Sequence, residues 1–200
     1  MIFRNENNKL INIRRWEVPE QELARKYIKE NDVVLELGAR YGTVSCVINS
    51  KLNDKKNQVV VEPDERVWNA LENNRNVNKC EFHIVKGFVS NKKLNLTNLG
   101  SYYGYGTTCV EAIESKIPSF TLEEIKTNHS LNFNVLVADC EGFLELFFDE
   151  NPNLYNDLRM IIFEADYPDK CNYEKIRNNL KENNFVEIQG GFQNVWIKNN

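Results

Sequence analysis

Residues 33–43, VVLELGARYGT, constrain this chain more than any other stretch. Val33, Val34, Leu35 and Leu37 have the composition of a strand buried on both faces, with Glu36 embedded near its end. Gly38 and Gly42 bracket a short turn, and residues 43–52 can continue as a helix. A strand, an acid, a glycine turn and a helix describe the ligand-binding edge of a doubly wound α/β sheet. Ligands there sit beyond the carboxyl ends of the strands. The spacing narrows the ligand. A dinucleotide fingerprint reads G-x-G-x-x-G, and its second glycine lets a pyrophosphate touch the backbone. Arg40 stands in that place, so the approach is closed.

The spacing present, E-x-G-x-x-x-G, is instead common at sites for S-adenosylmethionine (SAM), which offers an ammonium, a carboxylate and a ribose diol. On this reading Glu36 meets the ammonium, while Gly38, Ala39 and Gly42 form a turn whose free N–H groups meet the carboxylate. A second strand, 58–62, ends in Glu62, placed to accept both ribose hydroxyls on one carboxylate. After a third strand, 82–85, the loop facing adenine holds no acid, which leaves the Gly87 backbone and the Phe88 ring to serve it. A fourth strand, 134–139, ends in Asp139, and a fifth, 159–164, in Glu164. Four acids at one sheet edge repel and raise one another's pKa, so such a cluster calls for a cation or a proton in transfer.

The rest of the chain fills out an α/β pattern. Apolar residues recur at helical period over 19–30, 65–76 and 172–183, and Thr121 with Glu124 makes a capping box. Residues 185–189 and 194–198 read as a hairpin around Gly190 and Gly191. The expectation is a doubly wound, Rossmann-like sheet of seven strands of the class I SAM methyltransferase type, closed by that C-terminal antiparallel hairpin. Residues 1–18 read as an N-terminal arm or edge segment and 19–200 as one domain. Residues 91–118 form its longest irregular region, an insertion on the acceptor side. Tyr102, Tyr103 and Tyr105 lie there, offering flat apolar faces with polar tips to a sugar ring, and Glu164 joins them as an acceptor contact.

Composition bounds the partners. Two hundred residues bury a full core without metal or disulfides, and a net charge of -4 without a basic block argues against a nucleic-acid acceptor. No apolar run reaches the length of a membrane span, and the first residues are too polar for a signal peptide. Five scattered cysteines, odd in number and never in C-x-x-C, read as reduced thiols of a cytoplasmic protein. Nothing in the composition argues against a homodimer.

The chain resembles the FkbM family of SAM-dependent methyltransferases over roughly residues 19–198. The resemblance rests on Glu36-Leu-Gly38-Ala39-x-x-Gly42, on Glu62-Pro63, on Ser119-Phe-Thr121-Leu-Glu, and above all on Asp139-Cys-Glu141-Gly142-Phe143. It implies O-methylation of a sugar, glycan or polyketide hydroxyl. The chain departs from the family at Arg40, where Asn is common, and at Leu144, where Glu is usual and Glu145 stands one helical step of about 100° away. An alcohol needs a base as the new bond forms. Asp139 is the first choice and Glu141 the second, as base or acceptor orienter. A site without metal is expected, the alternative being Mg2+ on Asp139, Glu141 and Glu164. His83 and His129, the only imidazoles, read as structural. An NAD(P)-dependent oxidoreductase and a non-catalytic subunit of the same fold are the rival functions.

Overall fold

The computed structural model describes residues 1–99 and 106–199. The chain begins with β1 (Phe3–Arg4) paired antiparallel with β2 (Leu10–Ile11), then α1 (Val18–Tyr27), β3 (Val34–Leu37) and α2 (Thr43–Lys51). It continues through β4 (Gln58–Glu62), α3 (Glu65–Val77), β5 (His83–Lys86) and β6 (Phe88–Val89). Next come β7 (Leu94–Thr97), β8 (Thr108–Glu111), β9 (Ser119–Phe120), α4 (Leu122–His129), β10 (Val135–Ala138) and α5 (Leu144–Glu150). The last elements are α6 (Leu154–Asp157), β11 (Met160–Glu164), α7 (Tyr173–Glu182), β12 (Phe185–Gln189) and β13 (Gln193–Lys198).

Seven strands form one sheet in the order β12-β13-β11-β10-β3-β4-β5. From β11 to β5 all neighbours run parallel, while β13 lies antiparallel to both β11 and β12. The chain leaves β3 toward β4 and β5, then returns to lay β10 on the other side of β3. That reversal opens a crevice between the ends of β3 and β10, the place where such sheets bind ligands.

Alternation along the strands sorts the core. Val34, Val135, Val137, Met160 and Ile162 pack under α1 and α2 with Leu23, Val47 and Ile48. Leu35, Leu37, Val59, Val61, Leu136 and Phe163 face the opposite layer, with Ile125 of α4, Phe147 of α5 and Ile176 of α7. A strand buried on both faces has no polar face to show, which is why these read as continuous apolar runs. The β1–β2 pair is anchored by Phe3, buried with Ala39, Cys46, Val60, Leu71 and Phe82.

Residues 91–118 are a correction to the sequence reading. They are not simply irregular, because β7 and β8 pair antiparallel, Leu94 opposite Glu111 and Thr97 opposite Thr108. Leu94 is buried, and the Thr97 and Thr108 hydroxyls bond one another at 2.7 Å. The alternation in LNLT and TCVE is too short to stand out in a window scan. Tyr102, Tyr103 and Tyr105 lie outside the described residues.

Candidate functional site

The crevice is a real cavity. It lies over the ends of β3, β4 and β10. Gly38, Glu62, Gly87, Phe88, Asp139 and Glu141 line it, so six of the sequence candidates are brought together. Glu17, Arg40, Thr107 and Cys109 line it as well and were not anticipated. A smaller recess shares Glu17, Leu37, Gly38 and Asp139 with the cavity and continues past them to Glu20, Glu36, Glu164 and Gln193.

Gly38 is fixed by the close approach of the chain just past β10, which lies parallel beside β3. Its φ is +85°, and a Cβ there would lie 1.7 Å from the Asp139 carbonyl oxygen. The turn it begins differs from the expectation. The N–H groups of Gly38 and Ala39 donate to Val61 O at 3.0 and 3.3 Å, that of Gly42 to Ala39 O at 2.7 Å, and that of Arg40 to Glu62 Oε2 at 2.6 Å. These four donors are spent inside the fold and are not offered to a ligand carboxylate. Ala39 and Gly42 do not line the cavity. Ala39 packs with Phe3 and Cys46, and Gly42 caps α2.

Glu36 is likewise displaced from its expected place. Register puts it level with Val60 and Val137, so it sits two residues deeper in the sheet than Glu62 and Asp139. Two residues of strand are roughly 6.6 Å. Its oxygens accept from Ser45 Oγ at 2.8 Å and Gln58 Nε2 at 2.9 Å, and it reaches only the floor of the recess. Burial pushes its carboxyl up to about 8.

Glu62 is better placed. Its oxygens accept the Arg40 and Asp64 N–H groups at 2.6 and 2.8 Å. A carboxylate has about four lone-pair sites, so one remains on each oxygen for a diol. Burial raises it to about 7 against the pull of those backbone donors. Gly87 donates to Glu62 O at 3.0 Å and packs against Pro118, while the Phe88 ring borders both cavity and core, 6.2 Å from that of Phe143.

On the other side of the crevice, Asp139 stands just past β10, level with Glu164. Burial raises its pKa well above the usual carboxylate value, and Glu164 and Glu141 add to the effect. Glu141 has a left-handed backbone, φ 52°, and its Oε1 accepts the Gly106 N–H at 2.7 Å. That bond ties the insertion to the cavity. Burial, with the Asp166 carboxyl beside it, raises Glu141 to about 7. Glu164 lines the recess rather than the cavity, accepts from Gln193 Nε2 at 2.6 Å, and is pushed up to about 9 by burial and by Glu20. Asp139, Glu164 and Asp166 each offer an oxygen within 4.8 Å of the others, the one group among the described residues that could hold a metal ion. Asp166 replaces Glu141 in the set named from sequence. Its signal was visible, since Glu164-Ala-Asp166 repeats an acid at a spacing of two.

The two imidazoles lie away from this site. The His83 and His129 rings meet at a tilt of 33° with centroids 4.5 Å apart.

Known proteins bear on the fold. No family model matches the chain, and no curated protein matches it. Among solved structures it is similar to an rRNA methylase from Streptococcus thermophilus, with 8% identity, a TM-score of 0.57, and coverage of 95% of this chain and 100% of that one. It is also similar to a precorrin-6y C5,15-methyltransferase from Geobacter metallireducens GS-15, with 12% identity, a TM-score of 0.53, and coverage of 89% and 88%. The chain has the class I methyltransferase fold. A protein of the NADB-Rossmann superfamily from Streptococcus agalactiae shares the architecture, with 6% identity, a TM-score of 0.53, and coverage of 89% and 65%. β13 is inserted antiparallel beside β11, as the closing hairpin expected from the sequence requires. No helix among the described residues is long and apolar enough to cross a membrane.

Proposed function

We propose that the chain binds SAM in the crevice and methylates a hydroxyl of a small acceptor, a sugar or glycan. The observation that carries this reading is one cavity with a buried diol acceptor, Glu62, on one side and a raised-pKa carboxylate, Asp139, on the other. Bound there, SAM would supply an electrophilic methyl group on a sulfonium. Glu62 holds the ribose, and Phe88 and Gly87 border the adenine. Asp139 takes the acceptor's proton as the new C–O bond forms, a task that a more basic carboxylate does better. Glu141 orients the acceptor and holds the insertion through Gly106. Leu96, Thr107 and Cys109 bring that insertion into the cavity wall, which supports Tyr102, Tyr103 and Tyr105 as acceptor contacts. Asp139-Cys140-Glu141 lies in the same wall, in keeping with the FkbM resemblance.

Thermal shift against SAM, S-adenosylhomocysteine and NAD tests the cofactor, since a ligand of the native state raises the melting temperature. A rise with NAD alone sinks the reading. Glu62→Ala is expected to weaken SAM binding by about 1–3 kcal/mol. An RNA acceptor is the second reading, favoured by the rRNA methylase of the same fold. Turnover of a sugar panel against a transcribed RNA panel decides between them.

A further inference from the structure

The recess beyond Gly38 and Asp139 holds what a cation donor would satisfy. Glu17, Glu20, Asp139, Glu164 and Gln193 line it. Gln193 Oε1 receives no hydrogen bond among the described residues, and Gln193 is only 9% exposed. A buried acceptor left without a donor is costly, so it marks a place where a donor belongs. Glu36 has its oxygens engaged by Ser45 and Gln58. Glu164 lines the recess alone. Glu17 lines cavity and recess alike, and its backbone is turned into the left-handed region, φ 49°, ahead of α1. The Thr43 hydroxyl, at the start of α2, donates to its Oε2 and so holds the carboxylate at the junction.

Distance agrees. Glu62 ends β4, and the junction lies between the ends of β3 and β10. Strands in a sheet are about 4.8 Å apart, so the junction stands some 5–10 Å from the ribose anchor. The ribose, the sulfur and the aminobutyryl tail of SAM together cover an interval of that order from diol to ammonium.

We infer that Glu17, delivered by the segment before α1, is the anionic partner of the SAM ammonium, the role that the E-x-G-x-x-x-G spacing would give to Glu36. The inference rests on the SAM reading above. It makes the N-terminal segment part of the cofactor site, with Glu20 and Gln193 completing the ring of acceptors.

The test is calorimetry on the full chain with two ligands: S-adenosylhomocysteine, which carries the ammonium, and 5′-methylthioadenosine, which lacks the whole amino-acid tail. Glu17→Gln is expected to weaken the first by roughly tenfold to a hundredfold, and the second by less than twofold. Thr43→Val, which removes only the hydroxyl that holds the carboxylate, is expected to show the same pattern with a smaller loss. Equal weakening of both ligands, or of neither, overturns the assignment while leaving the SAM reading in place. Failure of the parent protein to bind either ligand overturns the SAM reading and the assignment with it. A melting temperature raised by Mg2+ alone, and no longer raised in Glu17→Gln, overturns the assignment in favour of a metal.

Discussion

Glu36 gives a sharp test of where the acids sit. Its carboxyl is held near 8, against 4.5 when unburied, chiefly because it is buried. The folded protein therefore keeps this proton when the unfolded chain has lost it. Stability from this group is full below pH 4.5 and is lost as pH rises through 8. Between pH 5.5 and 7.5 the loss is about 1.4 kcal/mol per unit, or about 2–3 kcal/mol in all. In a chain of this size that is about 4–10 °C of melting temperature. Glu36→Gln removes the titration and keeps the shape. Its amide oxygen can accept from Gln58 Nε2 while its NH2 group donates to the Ser45 hydroxyl, so both partners stay engaged. The parent should therefore lose stability relative to the variant by about 2–3 kcal/mol between pH 5.5 and 7.5, as followed by calorimetry or fluorescence in matched ionic strength. Two parallel curves would refute the reasoning, because they would mean that Glu36 is ionised throughout this range.

Other perturbations separate site from scaffold. Gly38→Ala puts a methyl group 1.7 Å from Asp139 O; it is expected to lower stability by more than about 2 kcal/mol and to abolish SAM binding, both read by thermal shift. Asp139→Asn is expected to keep SAM affinity and lose turnover, with the parent indifferent to EDTA. Activity lost on chelation and restored by Mg2+ would assign Asp139, Glu164 and Asp166 to a metal instead. Arg159→Ala strips the guanidinium from Asp32, which is 2% exposed; the buried carboxylate left behind should cost about 3–5 kcal/mol in urea unfolding. Thr121→Ala removes the cap of α4 and should cost about 1 kcal/mol without changing ligand affinity.

Much of this architecture is written locally. The stretches at 34–37, 58–62, 135–138 and 160–164 are apolar apart from Gln58 and the acids Glu36, Glu62 and Glu164, which reads as central parallel strands, and the structure places them so. The Thr121–Glu124 capping box is a four-residue interaction and forms as read. Glu62 and Asp139 follow from lying at strand ends, which needs only the strand boundaries. What sequence could not carry is depth and register. Glu36 and Glu62 look alike as acids near strand ends. Pairing alone sets Glu36 two residues deeper, beneath α2, where Ser45 and Gln58 claim it. Whether the turn's N–H groups stay open depended on how closely Val61 and Glu62 of the neighbouring strand approach them. Glu17 and Asp166 enter the site from segments far from the motif, Glu17 brought in where α1 packs beside α2 and Asp166 carried beyond β11. A local pattern encodes which residues face the core. Which of them meet across the crevice is settled only when non-local strands pair, because that pairing alone fixes the distances between side chains remote in sequence.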